Sequence, residues 1–310
     1  MSNTHAPATH APGAGPDPDL ATPLAIIGAG QLGTSLGRAL RGQGVQSVLA
    51  WNAVGDDHAR ARAEQAGMHW LEDRAGLAGA DIVFSAVTPQ AAVDAARSCA
   101  SFLAPDGIYV DLNSMGPREK KQVAEVVHSA GRRFVDGAVL GAAADGVKMP
   151  IIVSGPDAAR VADRLSALGL RVRAVGETPG DAASIKIVRS VLAKGLEVLY
   201  VEALLAARRL GVEQEVLGTF CEWLDARPAA ASAEILVTTH LLHAERRTHE
   251  LDMSLATVRE TGVAPVLTQA IRDRLATTAA TGVAASLKGK PPESVSAALA
   301  LLDSALGREV

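Results

Sequence analysis

The run Leu24-Ala25-Ile26-Ile27-Gly28-Ala29-Gly30-Gln31-Leu32-Gly33 restricts the possible folds more than any other segment of this chain. A short apolar stretch ends in G-x-G-x-x-G spacing and passes directly into a helical pattern through Leu32, Leu36 and Leu40. Strand, glycines and amphipathic helix in that order are the context a dinucleotide-binding turn requires. Gly28 is expected to make the tight turn. Gly30 is expected to let the backbone approach a pyrophosphate, and Gly33 to let the helix pack on the strand. Gln31 and Leu32 then open a helix whose free N–H groups and partial positive charge suit phosphate.

The pattern that follows agrees with such a domain. Leu24–Ile27, Ser47–Trp51, Ile82–Ala86, Ile108–Leu112, Phe134–Ala138, Ile151–Ser154 and Val172–Val175 read as strands separated by helical stretches. Alternation of this kind predicts βαβ units and a mostly parallel sheet. The continuous apolar character of residues 81–87 suits a strand covered on both faces. Near Gly180 the alternation stops. Asp181 is a good N-cap for a helix reaching about Leu210, closed by Gly211. Thirty residues at 1.5 Å each make a helix of about 45 Å, too long for a crossover. The remainder is helical by pattern, broken at Pro228, at Gly262 and Pro265, and at Pro291 and Pro292. The expected class is α/β: an N-terminal Rossmann-type doubly wound sheet, a long interdomain helix, and an all-α C-terminal domain. Residues 1–21 are expected as a floppy tail, 22–179 as the NAD(P)-binding domain, and 180–310 as the interdomain helix with a substrate and dimerisation domain.

Composition excludes other classes. The 30 basic and 34 acidic residues give a net charge of −4 with no basic block, and aromatics are 3%, which disfavours nucleic-acid binding. Two cysteines, Cys99 and Cys221, give no disulfide framework and suit a reducing cytoplasm. No apolar stretch without charge is long enough for a membrane span. His240, His243 and His249 invite a metal reading, but their spacing puts at most a pair on one face and no further ligand completes a set, so no metal is expected.

At the end of the second strand, Trp51-Asn52-Ala53 lacks the carboxylate that would bond the ribose 2′-hydroxyl of NAD and repel the 2′-phosphate of NADP. Asn52 serves either form; Arg60 or Arg62 can serve a phosphate, while Asp56 and Asp57 oppose it. The cofactor is expected to be NADP or NAD, leaning to NADP. Val87 and Thr88, just beyond Ser85, are candidates for the nicotinamide ribose; an ordinary strand-to-helix turn reads equally well there.

Three later segments, with the fingerprint, resemble the β-hydroxyacid dehydrogenase family, related to 6-phosphogluconate and 3-hydroxyisobutyrate dehydrogenases. Residues 111–117 are similar to its D-x-S-T-x-x-P, residues 136–141 to its D-A-P-V-S-G, and residues 180–186 to its G-x-G-x-x-x-K. The resemblance implies hydride transfer assisted by Lys186 as general acid and base. A partly buried lysine near a cationic cofactor has the chemistry for that role. Ser114 matches the motif's hydroxyl residue and is expected to hold a substrate carboxylate, with the Gly141 N–H beside it. Ser190 stands where the family usually has Asn, on the same helix face as Lys186.

Two departures alter the usual acid pocket. Leu140 replaces the serine of the S-G pair, and Leu251 replaces a downstream lysine. Arg247, one turn earlier, is the candidate replacement, and His249 a candidate substrate contact. Residues 246–251 resemble a subgroup of uncharacterised 6-phosphogluconate-dehydrogenase-like proteins. The expected activity is therefore interconversion of a hydroxyl and a carbonyl on a small polar, β-hydroxy acid-like substrate by an enzyme acting on CH–OH groups. The alternatives are an imine reductase of the same architecture, against which Lys186 counts, and a non-catalytic dinucleotide-binding module. The Ala- and Leu-rich helical domain predicts a homodimer, and the resemblance implies a cleft completed by both subunits.

Overall fold

A computed structural model describes residues 18–53 and 57–307. Asp56 and most of the expected tail lie outside the described residues. The tail's end is corrected: Pro18–Ala21 is a single helical turn, α1, whose Leu20 packs on the core and accepts the Gln46 N–H at 2.9 Å. The chain continues as β1 (Leu24–Ile27), α2 (Gln31–Gly42), β2 (Val48–Trp51), α3 (Asp57–Gln65), β3 (His69–Trp70), β4 (Ile82–Ser85), α4 (Ala92–Cys99) and β5 (Ile108–Asp111). Then come α5 (Pro117–Ser129), β6 (Arg133–Val139), β7 (Ile151–Ser154), α6 (Ala158–Ala167) and β8 (Val172–Gly176).

Among the described residues these strands form one eight-stranded sheet in the order β3-β2-β1-β4-β5-β6-β7-β8. The direction of winding reverses between β1 and β4, so the turn after β1 lies at the switch point where such sheets bind ligands. Successive β1 residues divide between two cores. Leu24 and Ile26 join one cluster, Ala25 and Ile27 the other. This is the signature of a strand buried on both faces, and each Leu or Ile so covered contributes about 1.5–3 kcal/mol.

Two strand features depart from the sequence reading. His69–Trp70 forms a two-residue edge strand, too short for any periodicity to show. The β6–β7 pairing is antiparallel in an otherwise parallel sheet. Residues 140–150 link these strands without a crossover helix, so the chain turns back on itself.

Two compact units divide at Arg189/Ser190, within α7 (Asp181–Leu210). The first turns of this helix belong to the sheet unit because sheet side chains grip its N-terminus. Gly180 and Ala183 donate their N–H groups to Asp136 Oδ2 at 3.1 and 2.9 Å, and Ala182 donates to Ser154 Oγ at 3.0 Å. The capping role expected of Asp181 thus falls to a carboxylate 45 residues earlier, which local sequence cannot reveal.

The second unit is helical, with α8 (Glu213–Asp225), α9 (Ala229–Glu260), α10 (Val266–Ala280), α11 (Val283–Ser286) and α12 (Val295–Leu306). Breaks fall at the expected Pro228, Gly262 and Pro265. Buried Glu202 of α7 caps α10, accepting from Leu267 N and Thr268 N, both at 2.8 Å, and from Thr268 Oγ1 at 2.6 Å. No helix among the described residues is long and apolar enough to cross a membrane.

Candidate dinucleotide and proton-transfer site

The glycine fingerprint is built as its spacing requires. Gly28 has φ +104°, a conformation that disfavours other residues, and a Cβ there would overlap the Ala86 carbonyl oxygen. Its N–H donates to the Trp51 carbonyl at 2.9 Å, fixing the turn beside the end of β2. A Cβ on Gly33 would overlap the Gly28 carbonyl oxygen, so the first turn of α2 presses directly on the loop. Gly30 differs: nothing lies within 4 Å of the place its Cβ would take. The open space at Gly30 is a cradle that would admit a phosphate group, and no side chain caps α2 there. Gln31 is exposed at the helix mouth, while Leu32 packs against the core. The cradle fits a dinucleotide, which would bring a hydride acceptor or donor to this edge of the sheet.

Around it stand the other candidates. Asn52 follows β2 directly and is half-buried. Val87 lies against the Gly28 turn, its Cγ1 3.1 Å from a Cβ built on that glycine, and exposed Thr88 precedes a short turn at Pro89. The two arginines separate. Arg60 is engaged by Glu64 and Glu72 at 3.0 and 2.7 Å. Arg62 instead donates Nε–H to the Ala29 carbonyl at 2.9 Å, inside the fingerprint loop.

Lys186 and Ser114 come together. From the second turn of α7 the ammonium donates to Ser114 Oγ at 2.6 Å, on the loop after β5. Burial pushes the Lys186 pKa down, and the positive charge of Lys120 adds to that, while Asp136 opposes it. Lys120 escaped the sequence reading. It occupies the α5 face shared with Val123, Ala124 and Val127, is 1% exposed, and lies between two fully buried carboxylates. Its ammonium is 2.6 Å from Asp111 Oδ1 and 3.1 Å from Asp136 Oδ1, and it also donates to the carbonyls of Asp111 and Gly137 at 2.7 and 3.1 Å. Asn113 closes the group, donating from its backbone to Asp111 Oδ1 at 2.9 Å and from Nδ2 to Asp111 Oδ2 at 3.0 Å. A lysine in register with an apolar helix stripe was the available signal. Truncating one partner of such a buried pair costs about 3–5 kcal/mol.

The remaining candidates are distributed as follows. Leu140, in the serine position, packs beside Ala138, Ile152 and Ala182, and its carbonyl accepts from Arg189 Nη1 at 3.2 Å. Gly141 is exposed, with Asp145 Oδ2 2.9 Å from where its Cβ would be. Ser190, Arg247 and His249 belong to the second unit. There Arg247 Nη2 donates to Thr239 Oγ1 at 2.9 Å, and His249 is exposed. His240 pairs its Nε2 with Thr278 Oγ1 at 2.9 Å.

Comparison with known proteins agrees with this geometry. The NAD binding domain of 6-phosphogluconate dehydrogenase matches residues 23–176, and a domain of unknown function, DUF1932, matches residues 207–278. A conserved hypothetical protein of solved structure from Sinorhizobium meliloti 1021 is 33% identical, covering 92% of this chain and 97% of that one, with TM-score 0.59. A conserved protein of unknown function, described as structurally similar to 3-hydroxyacid dehydrogenases, is 30% identical over 83% of this chain and 97% of its own, with TM-score 0.60. L-threonate dehydrogenase from Escherichia coli O6:H1 is 25% identical over 63% of this chain and 67% of its own. The chain spans 65% and 67% of the lengths of the curated relatives it matches. An imine reductase from Myxococcus stipitatus shares the fold, with TM-score 0.74 at 18% identity over 92% of this chain and 99% of its own. With the fingerprint, the sheet order and these matches taken together, the chain belongs to the β-hydroxyacid dehydrogenase, or 6-phosphogluconate dehydrogenase-like, family of NAD(P)-binding oxidoreductases.

Proposed function

We propose that this protein interconverts a hydroxyl and a carbonyl on a small, polar, β-hydroxy acid-like substrate, with Lys186 as the proton-transfer group. The observation carrying this reading is the half-buried Lys186 ammonium held on Ser114 Oγ at 2.6 Å, in the unit that contains the dinucleotide cradle. A bound nicotinamide accepts a hydride in oxidation and supplies one in reduction. For oxidation, neutral Lys186 takes the proton of the substrate hydroxyl. In reduction its ammonium polarises the carbonyl and donates the proton to oxygen. Ser114 accepts from Lys186 and keeps its own hydroxyl proton to donate, which suits it to a substrate carboxylate. Ser190, Arg247 and His249 are assigned substrate contacts, and the exposed N–H side of Gly141 a further one.

Arg62 supports a preference for NADP. Its Nε is anchored to the fingerprint loop, and its terminal amino groups remain for a 2′-phosphate. A homodimer is supported by the apolar side chains α7 leaves exposed in the single chain, including Val188, Val191 and Leu192, the last 75% exposed. Sedimentation as a stable monomer at micromolar concentration contradicts that assembly. Free Cys99 and Cys221 fit a reducing, cytoplasmic setting.

The experiment is nicotinamide turnover against hydroxy acids, their oxo acids and cyclic imines, with wild type and Lys186→Ala. Turnover of hydroxy or oxo acids that collapses in the variant supports the proposal. Turnover of imines alone, or acid turnover indifferent to the substitution, overturns it.

A further inference from the structure

The group formed by Lys120, Asp111 and Asp136 is a charged structure in a part of the core that otherwise excludes charge. One cation serves two carboxylates, so one negative charge is left over. The leftover charge has direction. Asp136 Oδ2 accepts from Gly180 N, Ala183 N and Ser154 Oγ, which turns that carboxylate toward the first turn of α7. Asp136 Oδ1 makes no hydrogen bond and has only the 3.1 Å ion pair with Lys120. The same helix presents Lys186 to Ser114 one turn later.

We propose that Lys120 is a positioning residue for Lys186: it neutralises Asp136 from within the core while Asp136 holds the helix that presents Lys186, so that one buried carboxylate is shared between the core ammonium and the first turn of α7. This rests on the reading of Lys186 as the proton-transfer group. Sharing has a chemical consequence. With Lys120 in place the carboxylate is partly neutralised, and the Lys186 ammonium gains less from it than a lone lysine would. The charged groups that act on Lys186 include Lys120 from α5 and Asp136 from β6, with Asp111 from β5 paired to Lys120; Asp181 and Arg189 are the charged residues nearest to it in sequence on its own helix. Burial lowers the Lys186 pKa, and Lys120 lowers it further against Asp136, the directions expected of this arrangement. A purely structural lysine could be replaced by any side chain that keeps the fold. A lysine acting through its charge can be replaced only by another cation.

The test uses the full chain and needs no substrate. Protein is treated with trace acetic anhydride across a pH series, and acetylation of Lys186 is read by mass spectrometry against exposed Lys288. Only neutral amine reacts, so the profile titrates Lys186 directly. Lys120→Met is expected to move the Lys186 profile to higher pH and to slow its acetylation severalfold at mildly alkaline pH. Lys120→Arg is expected to keep the wild-type profile. Should Lys120→Met fail to fold, the combination of Lys120→Met with Asp111→Asn removes opposite charges together and, because Asp136 still loses its own cation, is expected to give an upward move smaller than that of Lys120→Met alone. An unchanged Lys186 profile in whichever cation-free variant folds overturns the proposal, as does an equal shift in Lys120→Arg. Because labelling does not depend on turnover, this outcome is separate from that of the substrate panel.

Discussion

The Lys186 ammonium donates to Ser114 Oγ at 2.6 Å, joining residues 72 positions apart across the end of β5 and the second turn of α7. Ser114 is exposed and Lys186 half-buried, so neither belongs to the core. Lys186→Ala is therefore expected to lower kcat by about 10²–10⁴-fold, the range for loss of a positioned acid or base, while cofactor affinity stays near wild type. Ser114→Ala is expected to lower kcat/KM about tenfold, equivalent to one hydrogen bond of about 1.4 kcal/mol. Steady-state kinetics with a cofactor titration separates the two effects. A Lys186→Ala enzyme with near-normal kcat would sink the assignment.

The pH dependence follows from burial of Lys186 and from Lys120 nearby, which both lower its pKa. With neutral amine as the proposed base, oxidation should accelerate as pH rises through the lowered pKa and then level off. With ammonium as the proposed acid, reduction should slow over the same interval. Opposite trends centred below the ordinary lysine range are expected in kcat measured both ways; parallel trends would contradict the role.

Gly33 has no room for a methyl group, because its Cβ would occupy the place of the Gly28 carbonyl oxygen. Gly33→Ala must push α2 off the loop, at about 1–3 kcal/mol for overpacking. Calorimetry should show the lower unfolding temperature, and equilibrium titration the weakened dinucleotide binding. Gly30→Ala should fold normally and still bind poorly, since its Cβ meets only the open cradle.

Arg62 anchors to Ala29, whereas Arg60 is bridged by Glu64 and Glu72. Arg62→Ala should lower kcat/KM for NADP about tenfold and leave the value for NAD nearly unchanged, as expected for loss of one charge-assisted contact to a phosphate. Arg60→Ala should alter neither. Equal losses with both cofactors in Arg62→Ala would remove the arginine from phosphate recognition.

Glu202 is held below the usual carboxylate range, because hydrogen bonds from Thr268, Leu267 and Val266 outweigh the opposing effect of burial. A carboxyl with a depressed folded-state pKa contributes stability above its unfolded value, and that stability is lost as pH falls through the folded value. Glu202→Gln should cost about 1–2 kcal/mol near neutral pH, in the range for loss of a helix cap, with the difference shrinking in acid. Chemical denaturation at two pH values measures it.

Much of this was legible because it was local. The fingerprint placed Gly28, Gly30 and Gly33, and periodicity gave seven strands within a residue or so of their ends. Gly211, Pro228 and Pro265 terminate or open helices by backbone chemistry that needs no tertiary information. What escaped depends on contacts distant in sequence. Asp136 was visible in a motif, yet nothing near it says that it would hold the amides of Gly180 and Ala183. Lys120 sits between Glu119 and Lys121, where a charged side chain reads as solvated surface, and only its register with Val123 and Val127 says otherwise. The antiparallel β6–β7 pair is a matter of chain direction, which an apolar pattern does not encode.

The two rims of the sheet limit how this molecule can associate. β3 offers a visiting chain only two residues, and β8 carries a charged side chain, Arg173, within its five. Both margins discourage a further strand, so growth of the sheet by backbone pairing is disfavoured. Any self-recognition would then fall more readily to side chains on helical surfaces, which tolerate substitution one residue at a time.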